Sequence, residues 1–258
     1  MHNYTNYLHW SSKQVSGDGI ILGADITQEW LLPWWWRNYS KYNAFPVAFV
    51  DFGMSFEMKE WCRERGQLIP LRVFHDFVAE RSALDPQLVD EWERCFRNQF
   101  WDSRNVWFKK PLACLQTPFQ RSLWIDNDCE IKGSLEPLFT FADQETGIAM
   151  VPEPIQEYKY TIYNSGVFPF RNGIKVILDW GKKCLEETHI FRGDQEAFSH
   201  LVFEQKLQIP EIPRIYNWSR IAKESPHALV LHWHGEHGKL AIRKQMNLEA
   251  LRGVIPLT

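Results

Sequence analysis

The sequence predicts an α/β fold, a single domain with a mostly parallel central sheet flanked by helices. Three observations predict it. Short apolar runs such as Gly19–Asp25 (GIILGAD), Phe45–Phe52 (FPVAFVDF), Gln67–Leu71 and Arg121–Ile125 have the length and composition of buried strands. Segments with apolar residues at helical spacing stand between them, and such alternation implies parallel pairing. The 258 residues carry no internal repeat and no low-complexity linker, and a chain of that length buries one large core.

The elements follow in order. Residues 1–18 are polar and aromatic and read as irregular, and Gly19–Asp25 is the first strand. Gly17, Gly19 and Gly23 precede and interrupt that strand instead of following it, which excludes a dinucleotide-binding loop. Thr27–Asn43 reads as a helix capped by Thr27, with Trp30, Leu31, Trp34 and Trp35 on one stripe and Pro33 expected to kink its early turns. The run Trp34-Trp35-Trp36 is expected to pack on the sheet, because its neighbours do not form the basic amphipathic face of a lipid-binding helix. Phe45–Phe52 is the second strand, Ser55–Arg65 a helix closed by Gly66, and Gln67–Leu71 the third strand. Helices are expected over Leu84–Phe100 and over Asn105–Pro118, the latter carrying Lys109 and Lys110. The strand ending at Ile125 comes next, then a short excursion at Leu135–Phe139 and a strand at Gly147–Pro152. In Ile162–Phe170 a strand flanks Asn164-Ser165-Gly166, and Asn172–Glu187 is an amphipathic helix. Gly193-Asp194-Gln195 opens a further helix, the Pro-bearing Ile209–Ile215 is an edge or loop, and Leu229–Trp233 is the last strand. Gly235 and Gly238 give His234–Lys239 the backbone freedom of a mobile loop, and the tail after Ala241 reads as helical without a role.

Composition narrows the function. A net charge of −3 with no basic run argues against nucleic acid as a partner. Five scattered Cys without a C-x-x-C pair argue against a disulfide framework or a zinc site and fit a reducing cytoplasm. The first residues, MHNYTNYLHWSSKQ, lack the basic-then-apolar pattern of a signal peptide. No window approaches a membrane span, although peripheral membrane contact stays open. Thirteen Trp suit large concave sites or surfaces that meet sugars or lipid headgroups.

The chemistry centres on Arg121–Cys129, RSLWIDNDC. A buried strand ends abruptly in Asp126-Asn127-Asp128. Carboxylates two residues apart on an extended chain point the same way. Oxygen ligands of this kind suit Mg or Mn, and ligands of open α/β sheets sit outside the carboxyl ends of strands. The pattern therefore points to a divalent metal holding a diphosphate, against the plainer reading of a polar turn. An EF-hand is excluded because Ile131 stands where that loop needs Gly.

Taken in order, an acid-ended first strand, a helix Lys, D-x-D, N-S-G, G-D-Q, and a late apolar run ending in His with a Lys beyond it resemble a known family. It is the GT-A fold (Rossmann-like) glycosyltransferase family that includes glycogenin, galactinol synthase and bacterial lipopolysaccharide galactosyltransferases. The resemblance spans roughly Gly19 to Lys239. It implies a retaining hexosyltransferase that uses Mn2+ (or Mg2+) and a UDP-sugar donor, with a carbohydrate, glycolipid or protein acceptor. It further implies that Asp126, Asp128 and His232 are the metal ligands, with Asp126 also at the ribose. Lys110, Lys239 and Gly235 would lie at the diphosphate. Ala24 and Asp25 would meet uracil and ribose, and Asn164, Ser165 and Gly166 the donor sugar. Asp194 and Gln195 would be the acid–amide pair at the reacting carbon. The sequence departs from the family at Asn127, where Ala or Thr is usual. It also departs in the three residues Glu236, His237 and Gly238 before the Lys, where two are usual, and at Leu240-Ala241, where Pro-Trp is usual. His234 and His237 raise a zinc alternative with His232. Two other functions compete: a sugar nucleotidyltransferase, disfavoured because Asp25–Glu29 holds neither Gly nor a base, and a nucleotide-sugar-binding protein without transferase activity.

Overall fold

The computed structural model describes residues 16–71, 77–95, 100–154, 159–222 and 225–251. Of the irregular segment expected over residues 1–18, residues 1–15 lie outside these, as do the last residues of the tail, and the first strand already begins at Asp18. The architecture is the predicted one. A five-stranded sheet has the order β3-β2-β1-β4-β8, formed by β1 (Asp18–Ala24), β2 (Val47–Asp51), β3 (Gln67–Pro70), β4 (Arg121–Ile125) and β8 (Val167–Arg171). β1 through β4 pair in parallel, and β8 runs antiparallel to β4. Helices cover both faces, as a sheet buried on two sides requires. On one face lie α1 (Leu31–Tyr39) and α2 (Phe56–Arg63), with Leu31, Trp34 and Trp35 against Ile20, Leu22 and Phe49. On the other lie α5 (Lys110–Cys114), α6 (Lys175–Glu186) and α7 (Asp194–Gln205), with Trp180 and Phe198 against Trp124 and Phe168.

Between β3 and α5 the chain forms α3 (Pro86–Cys95) and α4 (Phe100–Trp107), which enclose a third apolar cluster of Leu84, Val89, Trp92 and Phe100. A small sheet of order β5-β10-β9 joins β5 (Cys129–Ile131), β9 (Trp218–Ser219) and β10 (Val230–His232). A two-stranded ribbon pairs β6 (Val151–Pro152) with β7 (Tyr163–Asn164), and α8 (Gly235–Leu251) ends the described chain.

Several expected elements differ in extent, each for a local reason. α1 starts at Leu31 and not at Thr27. The Asp25 carboxylate accepts the backbone N–H of Thr27 and of Gln28 and the Thr27 hydroxyl, and this turn postpones the helix. Pro33 then falls in the first turn, where its missing N–H removes no intrahelical bond. Trp34 and Trp35 are buried, and the Trp35 ring stacks on Tyr39 at 4.9 Å, so this run belongs to the core. The helix expected over Asn105–Pro118 is broken into α4 and α5, because Pro111 cannot donate to the preceding turn. Most of Gly147–Pro152 is held by isolated bridges, Ile148 to Phe170 and Met150 to Glu211, and only Val151–Pro152 forms a strand.

The loop expected at His234–Lys239 is instead the first turns of α8. Gly235 enters it with φ of +77°, and Gly238 packs so closely on Trp233 that a Cβ would lie 1.6 Å from that residue's carbonyl oxygen. Here the two glycines provide a sharp entry and a close approach.

Candidate active site

The site forms where the two sheets meet. β4 belongs to the central sheet and β5 to the small one, and Asp126-Asn127-Asp128 is the link between them. The link is held on every side. Asp126 N–H donates to Gly166 O at 2.8 Å, Cys129 N–H to Asp126 O at 3.1 Å, and Trp233 N–H to Asp128 O at 3.0 Å. Asn127 turns away from the acids, and its amide donates to Gly23 O at the end of β1 at 3.4 Å. The residue that departs from the family pattern thus fastens the link to the first strand.

Lys110 is the cation at the centre. Its ammonium is buried under α5 and donates to Ser165 O at 2.9 Å and to Ser165 Oγ at 3.1 Å. It lies 3.1 Å from Asp126 Oδ1 and 3.5 Å from Asp194 Oδ2. Burial pulls its pKa down, but the paired carboxylates outweigh that and hold it above its ordinary value. Asp194, the first residue of α7, is equally buried, and its Oδ2 accepts the Ser165 hydroxyl at 2.8 Å. Burial raises its pKa against the opposing pull of Lys110. Gln195 Oε1 accepts Ser165 N–H at 3.2 Å, so one turn residue touches Lys110, Asp194 and Gln195 together. Asp126 Oδ1 also accepts the Trp124 indole N–H at 2.7 Å.

His232 lies across from the acids at the end of β10. Its Nε2 is 3.3 Å from Asp128 Oδ1 and 3.8 Å from Asp126 Oδ2. Burial alone would lower its pKa, yet the two carboxylates hold it above the ordinary imidazole value. Asp128 is buried, which would raise its pKa, but Lys239 and His232 keep it well below the usual carboxylate range. Gly166 must lack a side chain, since a Cβ there would sit 2.2 Å from His232 Cε1. Lys239 reaches the site from α8, with Nζ 3.6 Å from Asp128 Oδ2.

The structure therefore brings together Lys110, Asp126, Asp128, Asn164, Ser165, Gly166, Asp194, Gln195, His232 and Lys239. Ala24 is buried at the end of β1, and Asp25 Oδ1 is taken up by its own turn. Gly235 serves as the entry to α8. His234 faces elsewhere, its Nε2 2.7 Å from Ser219 Oγ, and burial lowers its pKa to about 4. Asn164 is buried in a chain of amides. Its Oδ1 accepts from Gly166 N–H and from the Asn217 amide, each at 2.8 Å, and its own amide donates to Glu153. Asn217 and Glu153 are members of the site that the sequence reading missed. Neither sits in a recognisable motif, and only the pairing of β9 with β10 brings Asn217 beside His232.

Two donor sets share Asp128 and His232. The ligand atoms of Asp128, Cys129 and His232 lie within 4.8 Å of one another, and Asp126 offers an oxygen on the same imidazole nitrogen. Cys129 is fully buried, and burial beside the two carboxylates holds its thiol neutral. Asp126 is partly open and already ionically paired. Two carboxylates beside a neutral imidazole form a set that suits Mn2+, whereas a thiolate set would favour zinc.

Compared by sequence, the chain matches no protein-family model and no curated protein. Compared by structure, it has the GT-A fold of glycosyltransferases. It is similar to the galactosyltransferase LgtC solved in complex with donor and acceptor sugar analogues, at TM-score 0.55 and 14% identity, with 93% of this chain covering 100% of that one. An LgtC carrying a glutamine-to-glutamate active-site mutation is similar at TM-score 0.56 and 14% identity, over 94% of this chain and 97% of that one. The glycosyltransferase GlyE of Streptococcus pneumoniae TIGR4 is similar at TM-score 0.53 and 13% identity, and this chain spans 64% of its length.

Proposed function

We propose that the chain is a glycosyltransferase that moves a hexose from a UDP-sugar to an acceptor with retention of configuration, in the presence of Mn2+ or Mg2+. The observation that carries the reading is the convergence of the Asp126 and Asp128 carboxylates on His232 Nε2, with Lys110 and Lys239 beside them. The fold is consistent with it, since solved structures of the same fold include one holding donor and acceptor sugar analogues.

In this reading Asp126, Asp128 and His232 hold the metal, which supplies Lewis-acid stabilisation of the diphosphate leaving group. Lys239, on the open side of Asp128, places a fixed charge where the diphosphate gains negative charge as the glycosidic bond breaks. Lys110 is buried below the carboxylates and fixes the positions of Asp126, Asp194 and the Ser165 turn. Gln195 is the half-buried residue of the acid–amide pair, and its amide nitrogen is left to meet the donor sugar or the acceptor while its oxygen holds Ser165 N–H. An amide is a poor nucleophile, so the proposed course is same-face attack assisted by the departing diphosphate. No helix among the described residues is long and apolar enough to cross a membrane.

The test is direct. Protein, Mn2+ and a panel of UDP-sugars are mixed and UDP release is followed, with the anomeric configuration of the first product read by proton NMR. Slow metal-dependent release from one donor, by transfer of the sugar to water, and a free sugar first formed as the α anomer are expected. Absence of donor binding in calorimetry overturns the reading, and a free sugar first formed as the β anomer from an α-linked donor overturns retention.

A further inference from the structure

The amide chain behind His232 has a direction, and a backbone hydrogen sets it. Gly166 N–H can only donate, so the Asn164 atom it meets at 2.8 Å is the carbonyl oxygen. That same oxygen meets the Asn217 side chain at 2.8 Å, so Asn217 presents its NH2 group there and its own carbonyl oxygen to the other side. On that side stands His232 Nδ1, at 3.1 Å. A carbonyl oxygen can only accept, so Nδ1 carries the hydrogen. Neutral imidazole has one N–H, which leaves a lone pair on Nε2, the atom that faces Asp128 and Asp126. At the far end Asn164 donates to the Glu153 carboxylate, which accepts only and keeps the chain from reversing. Asn164 and Asn217 are both more than nine-tenths buried, so water does not offer either amide an alternative partner.

We propose that Asn217, oriented by Asn164 and Glu153, is a positioning residue that locks His232 in the Nδ1–H tautomer and so keeps its Nε2 lone pair aimed at the cation site. Asn164, which the family resemblance assigns to the donor sugar, is on this reading part of the support for the metal ligand. The consequence for metal binding rests on the function proposed above; the tautomer does not.

Nitrogen-15 NMR of histidine-labelled protein without metal, at about pH 10 and so above the imidazole range, reads the tautomer directly. The expected spectrum shows His232 protonated on Nδ1 and bare on Nε2. In Asn217→Leu the preference should be lost, and Mn2+ affinity measured by calorimetry without nucleotide should fall about 10–100-fold, the usual effect of removing such an outer partner. Asn217→Asp keeps an acceptor opposite Nδ1 and should recover most of that loss. A parent protein with His232 protonated on Nε2 overturns the proposal, as does an Asn217→Leu protein with the parent's tautomer and affinity. If Asn217→Leu does not fold, the parent spectrum alone decides. A parent that shows the Nδ1–H tautomer but binds no Mn2+ supports the lock and removes the metal reading.

Discussion

Along one edge of the same sheet, neighbouring strand ends use the same residue differently. Asp25 and Asp51 stand at the carboxyl ends of β1 and β2, as Asp126 and Asp128 stand beyond β4. Asp25 Oδ1 accepts two N–H groups and a hydroxyl of its own turn. Asp51 Oδ1 accepts Gly53 N–H at 2.9 Å and Met54 N–H at 2.8 Å, and its other oxygen meets Lys59 at 2.9 Å. Both carboxylates act mainly on residues close by in the chain. Asp126 and Asp128 instead meet Lys110, His232 and Lys239, which come from α5, β10 and α8. A carboxylate at a strand end is therefore only half a signal. If the following residues offer free N–H groups, it becomes a turn; if the chain pairs onward into another strand, as at Cys129, the carboxylate stays available for distant partners.

Substitution should separate the two kinds of strand end. The largest effect is expected from Asp128→Asn, which removes a ligand charge. Metal-dependent UDP-sugar binding in calorimetry should fall by at least about 100-fold, the upper end for outer-partner losses, while the fold, read by circular dichroism, persists. Unchanged affinity would move Asp128 into the same class as Asp51. Lys110→Met comes next, because it leaves Asp126 and Asp194 facing each other over a buried gap. Breaking a buried pair costs about 3 kcal/mol, and chemical denaturation measures it. A loss below about 1 kcal/mol would mean that the Asp194 proton, already favoured by burial, compensates.

Asp51→Asn should cost about 1 kcal/mol, the scale of a lost cap, and leave donor binding unchanged. The pH dependence gives the sign. The burial of Asp51 would raise its pKa, but Lys59 and the two N–H groups lower it overall. A depressed carboxylate contributes stability above the ordinary carboxylate range and loses it as pH falls through the lowered value. Between neutrality and acid, the parent's advantage over Asp51→Asn should therefore shrink. An advantage that grows on acidification would contradict the assigned turn. The smallest effect is expected from Cys129→Ser. If Asp126 is the third ligand, Mn2+ affinity stays within about twofold, well under the 10-fold that marks even an outer-partner loss. A larger drop, or a preference for Zn2+ lost in the variant, would give the place to the thiol.

Much of this arrangement was legible in the sequence. The alternation of apolar runs and helical stripes yielded the parallel sheet, because strand and helix periodicity are local properties of the chain. The Asp pair was legible for the same reason, as spacing on an extended strand sets direction. Helix boundaries were less so: Asp25 delays α1, and Pro111 splits what periodicity joins into one helix. The turns around Lys239 misled through their glycines. Gly235 and Gly238 suggest freedom, but Gly238 is needed for its missing Cβ against Trp233, a contact visible only after packing.

The sequence by itself determined the strands of the central sheet, the two acids beyond β4 and the order of the motifs, since each depends on residues within a few positions of one another. The tertiary structure alone decided three things. It buried Lys110 between Asp126 and Asp194, it carried Lys239 on a helix to Asp128, and it set Asn217 behind His232. Asn217 and His232 are 15 residues apart, and Lys110 and Ser165 are 55 apart. At such separations no periodicity survives in the chain, and only the pairing of strands fixes which polar atoms meet.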